Sequence, residues 1–264
     1  MYKVVVSDLD GTLLNKQHQV SARTRETLHA LVKRGIKFMV ATGRHHVDVQ
    51  GIRDTLGLDI FLITANGAVV HDKQDNCIYN QSLPVALAQQ VVELPRHEDI
   101  RINIYQGDRW LVAQESPELL ACHRESGFRY QVVDPLAVDK QNINKIFFNA
   151  ATHEELLPLE ASLLSQFGEQ LTITFASADS LEVMPKGVNK GNAVQAVLQQ
   201  NGFSLDETIA FGDGMNDLEM LSLVGRGVVM GNAHDRLVKA LPDHERTLSS
   251  DEDGVARYLE RLFG

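Results

Sequence analysis

Val4-Val5-Val6-Ser7-Asp8-Leu9-Asp10-Gly11-Thr12 is a β-branched run that stops abruptly in two carboxylates, a glycine and a hydroxyl. Such a run reads as a buried strand feeding a tight polar loop. The arrangement returns twice downstream. Ile36-Lys37-Phe38-Met39-Val40-Ala41 ends at Thr42-Gly43-Arg44, and Ile60-Phe61-Leu62-Ile63 ends at Asn66-Gly67. Ser21 reads as the N-cap of an intervening helix that carries Leu28, Leu31 and Val32 and stops at Gly35. A second helix runs to about Leu56. Strand, helix, strand, helix, strand at short spacing predicts a parallel sheet with helices packed on it. The polar residues follow the strands, and the carboxyl ends of strands are where open α/β sheets place their sites.

The rhythm changes near Pro84. Ile102-Asn103-Ile104-Tyr105 and Arg109 to Ala113 flank Gln106-Gly107-Asp108 as a hairpin. A strand over Lys145 to Ala150, a helix over His153 to Phe167, and strands over Leu171 to Ala176 and Leu181 to Met184 complete an α+β pattern. After Pro185 the first rhythm resumes. Asn189 caps a helix through Leu198, and Thr208-Ile209-Ala210-Phe211 ends at Gly212-Asp213-Gly214-Met215-Asn216-Asp217. Gly227-Val228-Val229-Met230 ends at Gly231-Asn232, and two amphipathic helices follow. The simplest architecture is one α/β core, residues 1–83 and 188–264, interrupted by an inserted α+β domain over 84–187.

The 264 residues are 44% apolar and 23% charged, enough for a substantial core, with a net charge of −10. That balance argues against nucleic acid or an anionic membrane as partner, since either needs a basic face. A small anionic ligand is compatible with it, because a local cluster of donors can dominate a site. Cys77 and Cys122 have no metal-type spacing, and a reduced cytoplasmic compartment is the expectation. No apolar run approaches the roughly 20 residues that cross a bilayer.

Asp8 and Asp10 lie two apart in an extended-to-loop segment, so both carboxylates can face one pocket. Asp213 and Asp217 follow another strand of the same sheet. Single aspartates in such loops commonly serve turns and caps, but the group asks for more. Two unit charges about 4 Å apart repel by about 4 kcal/mol at an effective dielectric near 20. A convergence of hard oxygen ligands without Cys or His favours Mg²⁺. A carboxylate pair also suits phosphoryl transfer, one attacking phosphorus and the other moving protons. Thr42 and Gly43, read as a helix start, offer a hydroxyl and backbone N–H groups to phosphate. Lys190 sits in a first helical turn, where the helix dipole disfavours a cation, a local conflict of the kind found at functional sites. Asn216 can donate its amide. His45-His46 is discounted as a metal pair because adjacent helical residues diverge. Asn66-Gly67 reads first as a turn, and Trp110 as packing.

With these residues in place, Asp8-Leu9-Asp10-Gly11-Thr12 resembles the first motif of the haloacid dehalogenase-like superfamily. Thr42-Gly43-Arg44 resembles its second motif, Lys190-Gly191 its third, and Gly212 to Asp217 its fourth, in order and at the right spacing. The long insertion is similar to the cap of the Cof-type phosphatases. The resemblance implies a Rossmann-like parallel-sheet core with an inserted α+β cap domain. It also implies a Mg²⁺-dependent phosphatase acting on small phosphorylated metabolites through an aspartyl-phosphate. Asp8 would be nucleophile and metal ligand, and Asp10 the general acid/base with its backbone oxygen on the metal. Asp213 would be the third ligand and Asp217 a support behind it. The Leu9 backbone, Thr42, Gly43, Lys190 and Asn216 would hold phosphate. A closer similarity within the group, around Ala41 to Val49 and Leu181 to Met184, points to pyridoxal phosphate and sugar phosphates. A sugar phosphomutase of the same superfamily and a non-catalytic phosphoacceptor regulator remain alternatives.

Overall fold

The computed structural model describes residues 2–94, 96–117, 119–123 and 126–264. Apolar strand runs separated by amphipathic helices form an eight-stranded sheet, in the order β14-β13-β12-β1-β2-β3-β4-β5. Its strands are β1 (Val4–Ser7), β2 (Lys37–Ala41), β3 (Phe61–Thr64), β4 (Val69–His71), β5 (Cys77–Asn80), β12 (Thr208–Gly212), β13 (Arg226–Val229) and β14 (Glu245–Arg246). β14 through β3 are parallel, while β4 and β5 add antiparallel strands at one edge. These two short strands are not foreseen above, and they extend the core sheet past Asn66-Gly67 to Asn80. They are too brief, and in β5 too exposed, to give a period-2 signal.

The helices are α1 (Ala22–Lys33), α2 (His46–Leu56), α5 (Lys190–Gln200), α6 (Leu218–Leu223), α7 (Asp235–Ala240) and α8 (Gly254–Phe263). Ser21 caps α1 by accepting from the Thr24 N–H, and Asn189 caps α5 by accepting from that of Asn192. Leu28 and Leu31 are buried as expected, whereas Val32 lies on the exposed side of α1. Leu28, Leu31, Leu56, Tyr258 and Leu259 pack on one face of the sheet, and Val194, Val197, Leu198 and Leu221 on the other.

A six-stranded sheet is built from the chain between β5 and α5. Its strands are β6 (Arg101–Gln106), β7 (Arg109–Val112), β8 (Tyr130–Val132), β9 (Ile143–Asn149), β10 (Leu171–Ser177) and β11 (Ser180–Pro185), in the order β10-β11-β9-β6-β7-β8. All neighbours are antiparallel except β7 and β8. Helices α3 (Val85–Glu93) and α4 (His153–Phe167) cover one face, burying Ile104, Ile146, Phe148, Leu181 and Val183. The other face turns to the first sheet through Tyr105, Trp110, Phe147 and Met184, which pack with Ala65, Ala68 and Val188. Trp110 is buried there, its indole N–H donating to Asn103 Oδ1 at 3.0 Å. No helix among the described residues is long and apolar enough to cross a membrane.

Candidate active site

In the eight-stranded sheet, β1, β2 and β3 run one way from the centre, and β12, β13 and β14 the other. The order therefore reverses between β1 and β12, and a crevice opens at the carboxyl ends there. Ser7 is in register with Phe211 on one side and Val40 on the other. The chain thus leaves all three strands at one level, and Asp8, Thr42 and Asp213 arrive together.

After Asp8 the chain makes one wide turn. The Leu13 and Leu14 N–H groups reach back to the carbonyls of Asp8 and Leu9 at 3.3 and 2.9 Å. Gly11 sits at φ +69°, and a Cβ there would fall 2.3 Å from Asp213 Oδ2. Only glycine permits both the left-handed backbone and that close approach. The Thr12 hydroxyl donates to Asp213 Oδ1 at 2.8 Å. Asp217 accepts from the N–H groups of Asp213 and Gly214 at 2.9 and 3.0 Å, which closes the second loop on itself.

Lys190, fully buried at the start of α5, donates to Asp8 Oδ1 and Asp217 Oδ1, each at 2.7 Å. Burial would lower its pKa, but Asp217 and Asp8 reverse the sign and hold it raised. Asp8, Asp213 and Asp217 each present an oxygen within 4.8 Å of the others. Burial, joined by Asp217 and Asp213, pushes Asp8 well up despite Lys190. Burial and Asp217 push Asp213 up to about 7. One ammonium does not balance three carboxylates, and the residual repulsion fits the hard oxygen donor set of a Mg²⁺ site. Asp217 already spends one oxygen on Lys190 and the other on backbone N–H groups, which leaves Asp8 and Asp213 as the side chains able to turn to a cation.

Asp10 is not in that cluster. Arg44 pairs with its carboxylate through Nε at 2.7 Å, and His18 Nδ1 lies 3.7 Å away. Burial pushes Asp10 up, but the Arg44 and His18 hydrogen bonds outweigh it and hold it well below the usual carboxylate range. Asp8 and Asp10 thus take different cations, Lys190 and Arg44, while Asp10 stays within electrostatic reach of Asp213 and of Lys145. Arg44 is itself fixed by Asp48 at 3.1 Å, one helical turn on, and Asp48 also meets His123 Nδ1 at 2.8 Å and the Ser126 hydroxyl. A cavity of about 610 Å³ opens beside this clamp, with His18, Arg44, Asp48 and Ser126 in its wall.

The second motif is also placed differently. Helix α2 begins at His46 with His45 as its cap, Nδ1 accepting from the Val47 N–H, so Thr42 and Gly43 form a loop rather than a helix start. The Thr42 hydroxyl accepts from the Arg44 N–H at 3.1 Å. Asn216, buried, donates to Asn66 Oδ1 at 3.0 Å, and Asn66 holds a left-handed backbone, φ 56°. The six-stranded sheet reaches the same spot. Lys145 Nζ donates to the Gly43 carbonyl at 2.6 Å and to Glu182 at 2.5 Å, and Glu182 accepts from Asn66 Nδ2. Arg44, Asp48, Lys145 and Glu182 were not singled out from sequence. Arg44 and Asp48 stand at the i,i+4 spacing of a helical ion pair. Lys145 and Glu182 are lone charges inside apolar strands, which is the mark of a buried charge.

A family model for haloacid dehalogenase-like hydrolases matches residues 5–259. The HMP-PP phosphatase of Yersinia pestis is 39% identical over 259 residues, spanning 98% of this chain and 94% of its own. Among solved structures, a haloacid dehalogenase-like hydrolase from B. subtilis superposes with a TM-score of 0.87 at 30% identity, covering 98% of this chain and 99% of that one. Another from Bacteroides thetaiotaomicron gives 0.80 at 28% identity, covering both chains fully. The chain belongs to the haloacid dehalogenase-like hydrolase family. Within that family it is a phosphatase.

Proposed function

We propose that this phosphatase hydrolyses monoesters of small phosphorylated metabolites, with Mg²⁺, through a phosphate carried on Asp8. The observation that carries the reading is the convergence of Asp8, Asp213 and Asp217 around one buried lysine where the sheet order reverses. Asp8, Asp213 and the Asp10 backbone oxygen would hold Mg²⁺, which when bound supplies positive charge against the repulsion between carboxylate and anionic ester. An Asp8 oxygen attacks phosphorus as the ester P–O bond breaks, and the departing oxygen takes a proton from Asp10. Asp10 then takes a proton from water, whose oxygen attacks phosphorus and releases Asp8. Arg44 keeps the resting Asp10 ionised, so it must release Asp10 before that carboxyl can hold a proton to donate. The Leu9 backbone, Thr42, Gly43, Lys190 and Asn216 bind the phosphoryl oxygens, and Asp217 fixes Lys190 and the loop of Asp213.

Residues 84–187 act as a cap over the core of 1–83 and 188–264, excluding water not meant for the reaction. Pyridoxal phosphate and hexose phosphates are the substrates proposed first. The test is phosphate release over a panel of phosphorylated metabolites, with Mg²⁺ and again with excess chelator. Mg²⁺-dependent release is expected. Isomerised sugar phosphate in place of free phosphate would instead mark a mutase, and no turnover on any ester would sink the hydrolytic reading.

A further inference from the structure

Lys145 on β9 and Glu182 on β11 lie on the face of the six-stranded sheet that turns toward the catalytic loops. Glu182 is in register with Phe147, and Lys145 with Tyr105. Both charges are almost wholly buried, at 2% and 3% exposure. The ammonium sits 4.8 Å from the centre of the Tyr105 ring and 4.7 Å from that of Phe147. The pair abuts the second motif. A Cβ placed on Gly43 would lie 3.1 Å from Asn66 Oδ1, 3.5 Å from Glu182 Oε2 and 3.6 Å from Asn216 Nδ2.

A desolvated ion pair stabilises a fold little better than apolar side chains of the same volume. The opposite face of these strands does without one, using Ile146, Phe148, Leu181 and Val183. Asn103, a buried polar group on the inner face, is spent within its own sheet. Asn103 donates to Asn149 Oδ1 and accepts from Trp110. Lys145 and Glu182 differ because their remaining bonds go to the core, to the Gly43 carbonyl and to Asn66. Those are the bonds that any parting of the two sheets would release.

We propose that Lys145 and Glu182 read the leaving group of the substrate, a reading that rests on the phosphatase function above. Closing on a bound ester, Lys145 passes from Glu182 and the Gly43 carbonyl to an acceptor on the leaving group. Glu182 passes from Asn66 to a donor beside it. The substrate class is a phosphate ester of a ring that carries a hydrogen-bond acceptor and donor side by side, bordered by Tyr105 and Phe147. The internal Lys145–Glu182 bond occupies the same groups when no ester is bound. A leaving group without polar atoms cannot replace the bonds to Gly43 and Asn66 that the pair gives up, and sites built on such bonds reject the analogue that lacks them by large factors.

The experiment compares pyridoxal 5′-phosphate with benzyl phosphate, two arylmethyl phosphates that differ in the polar groups of the ring. In the unmodified protein the ratio of kcat/KM values should favour pyridoxal 5′-phosphate by at least about 30-fold. In Glu182→Gln, and in the paired neutral variant Lys145→Met/Glu182→Leu, which leaves no lone buried charge, that ratio should fall to within about 3-fold. A ratio near one in the unmodified protein overturns the proposal, as does a ratio that survives in both variants. Absence of phosphate release from either ester and from para-nitrophenyl phosphate would sink the phosphatase reading itself. Calorimetric titration of the two esters into Asp8→Asn protein then decides separately. Affinity must still favour pyridoxal 5′-phosphate and must lose that preference when Glu182→Gln is added, and equal affinities overturn the assignment.

Discussion

At the carboxyl edge of the eight-stranded sheet, Asp8, Asp10, Asp213 and Asp217 share two cations, Lys190 and Arg44. On the inner face of the six-stranded sheet, Lys145 and Glu182 match one for one. The first group lies in loops, held open by Gly11 and by backbone N–H donors, and its members repel one another. The second lies mid-strand, where the ladder fixes the backbone and the charges neutralise each other. An unbalanced cluster stores repulsion that a bound cation and its chemistry relieve. A balanced pair stores none, and it changes partners only when something of equal polarity arrives. On the proposed reading, chemistry and selection would occupy two sheets of different construction that meet at Gly43 and Asn66.

The largest effect should come from the unbalanced side. Asp8→Asn preserves shape and removes the proposed nucleophile, and phosphate release should fall by at least about 10³-fold while thermal melting shows a folded protein. Near-normal release would put the chemistry elsewhere and break the comparison at its root. Next comes the shared lysine. Lys190→Met leaves Asp8 and Asp217 buried without their cation, and urea unfolding near neutral pH should show a loss of about 3 kcal/mol. A loss below about 1 kcal/mol would mean that the cluster does not depend on Lys190 for its balance.

Of the fold, the parallel core and the α+β character of the insertion were legible, because β-branched runs and capped amphipathic helices carry their own period. Helix α4 shows this over His153–Phe167, as does the cap at Asn189. Strands β4 and β5 were not legible, being three and four residues long at the sheet edge. Helix α3 was missed because its Val85–Glu93 run is short and begins directly after Pro84. The start of α2 was placed too early because Thr42-Gly43 resembles a cap, while the side chain that caps is His45.

His45 also sharpens the comparison, because it joins the two sheets. Its Nε2 meets the Gly107 carbonyl at 2.7 Å while Nδ1 accepts from Val47. Burial, then His46, depresses it to about 4, against about 6.5 in an unfolded chain. Between those values the unfolded chain binds more protons than the folded protein, so stability falls as pH drops through that window. About 2 kcal/mol should be lost from this residue between about pH 7 and about pH 5. His45→Asn keeps a capping acceptor and should flatten that part of the urea-derived profile, and an unchanged acid slope would remove His45 from the contact between the sheets. The smallest effect is expected at Arg236–Glu160, a half-buried bridge between α7 and α4 at 3.0 Å. Glu160→Gln should cost under about 0.5 kcal/mol. A larger loss in the same unfolding assay would show that the sheets are held at their rim as well as at Gly43.

The sequence by itself determined which polar residues stand at which strand ends, because an apolar run breaking into Asp-Leu-Asp-Gly-Thr or Gly-Asp-Gly-Met-Asn-Asp is a local pattern. Only the tertiary structure decided which of them meet. Thr12 bonds Asp213 across 201 positions of chain, through a sheet order that no local period encodes. Asp10, two residues from Asp8, pairs with Arg44, while Asp8 pairs with Lys190. Lys145 and Glu182 each appear in sequence as a solitary charge in a strand, and only the pairing of β9 with β11 and the packing of one sheet over the other supply their partners. Local periodicity fixes strands and helices, whereas the partner of a buried charge is fixed by whichever distant surface removes its water.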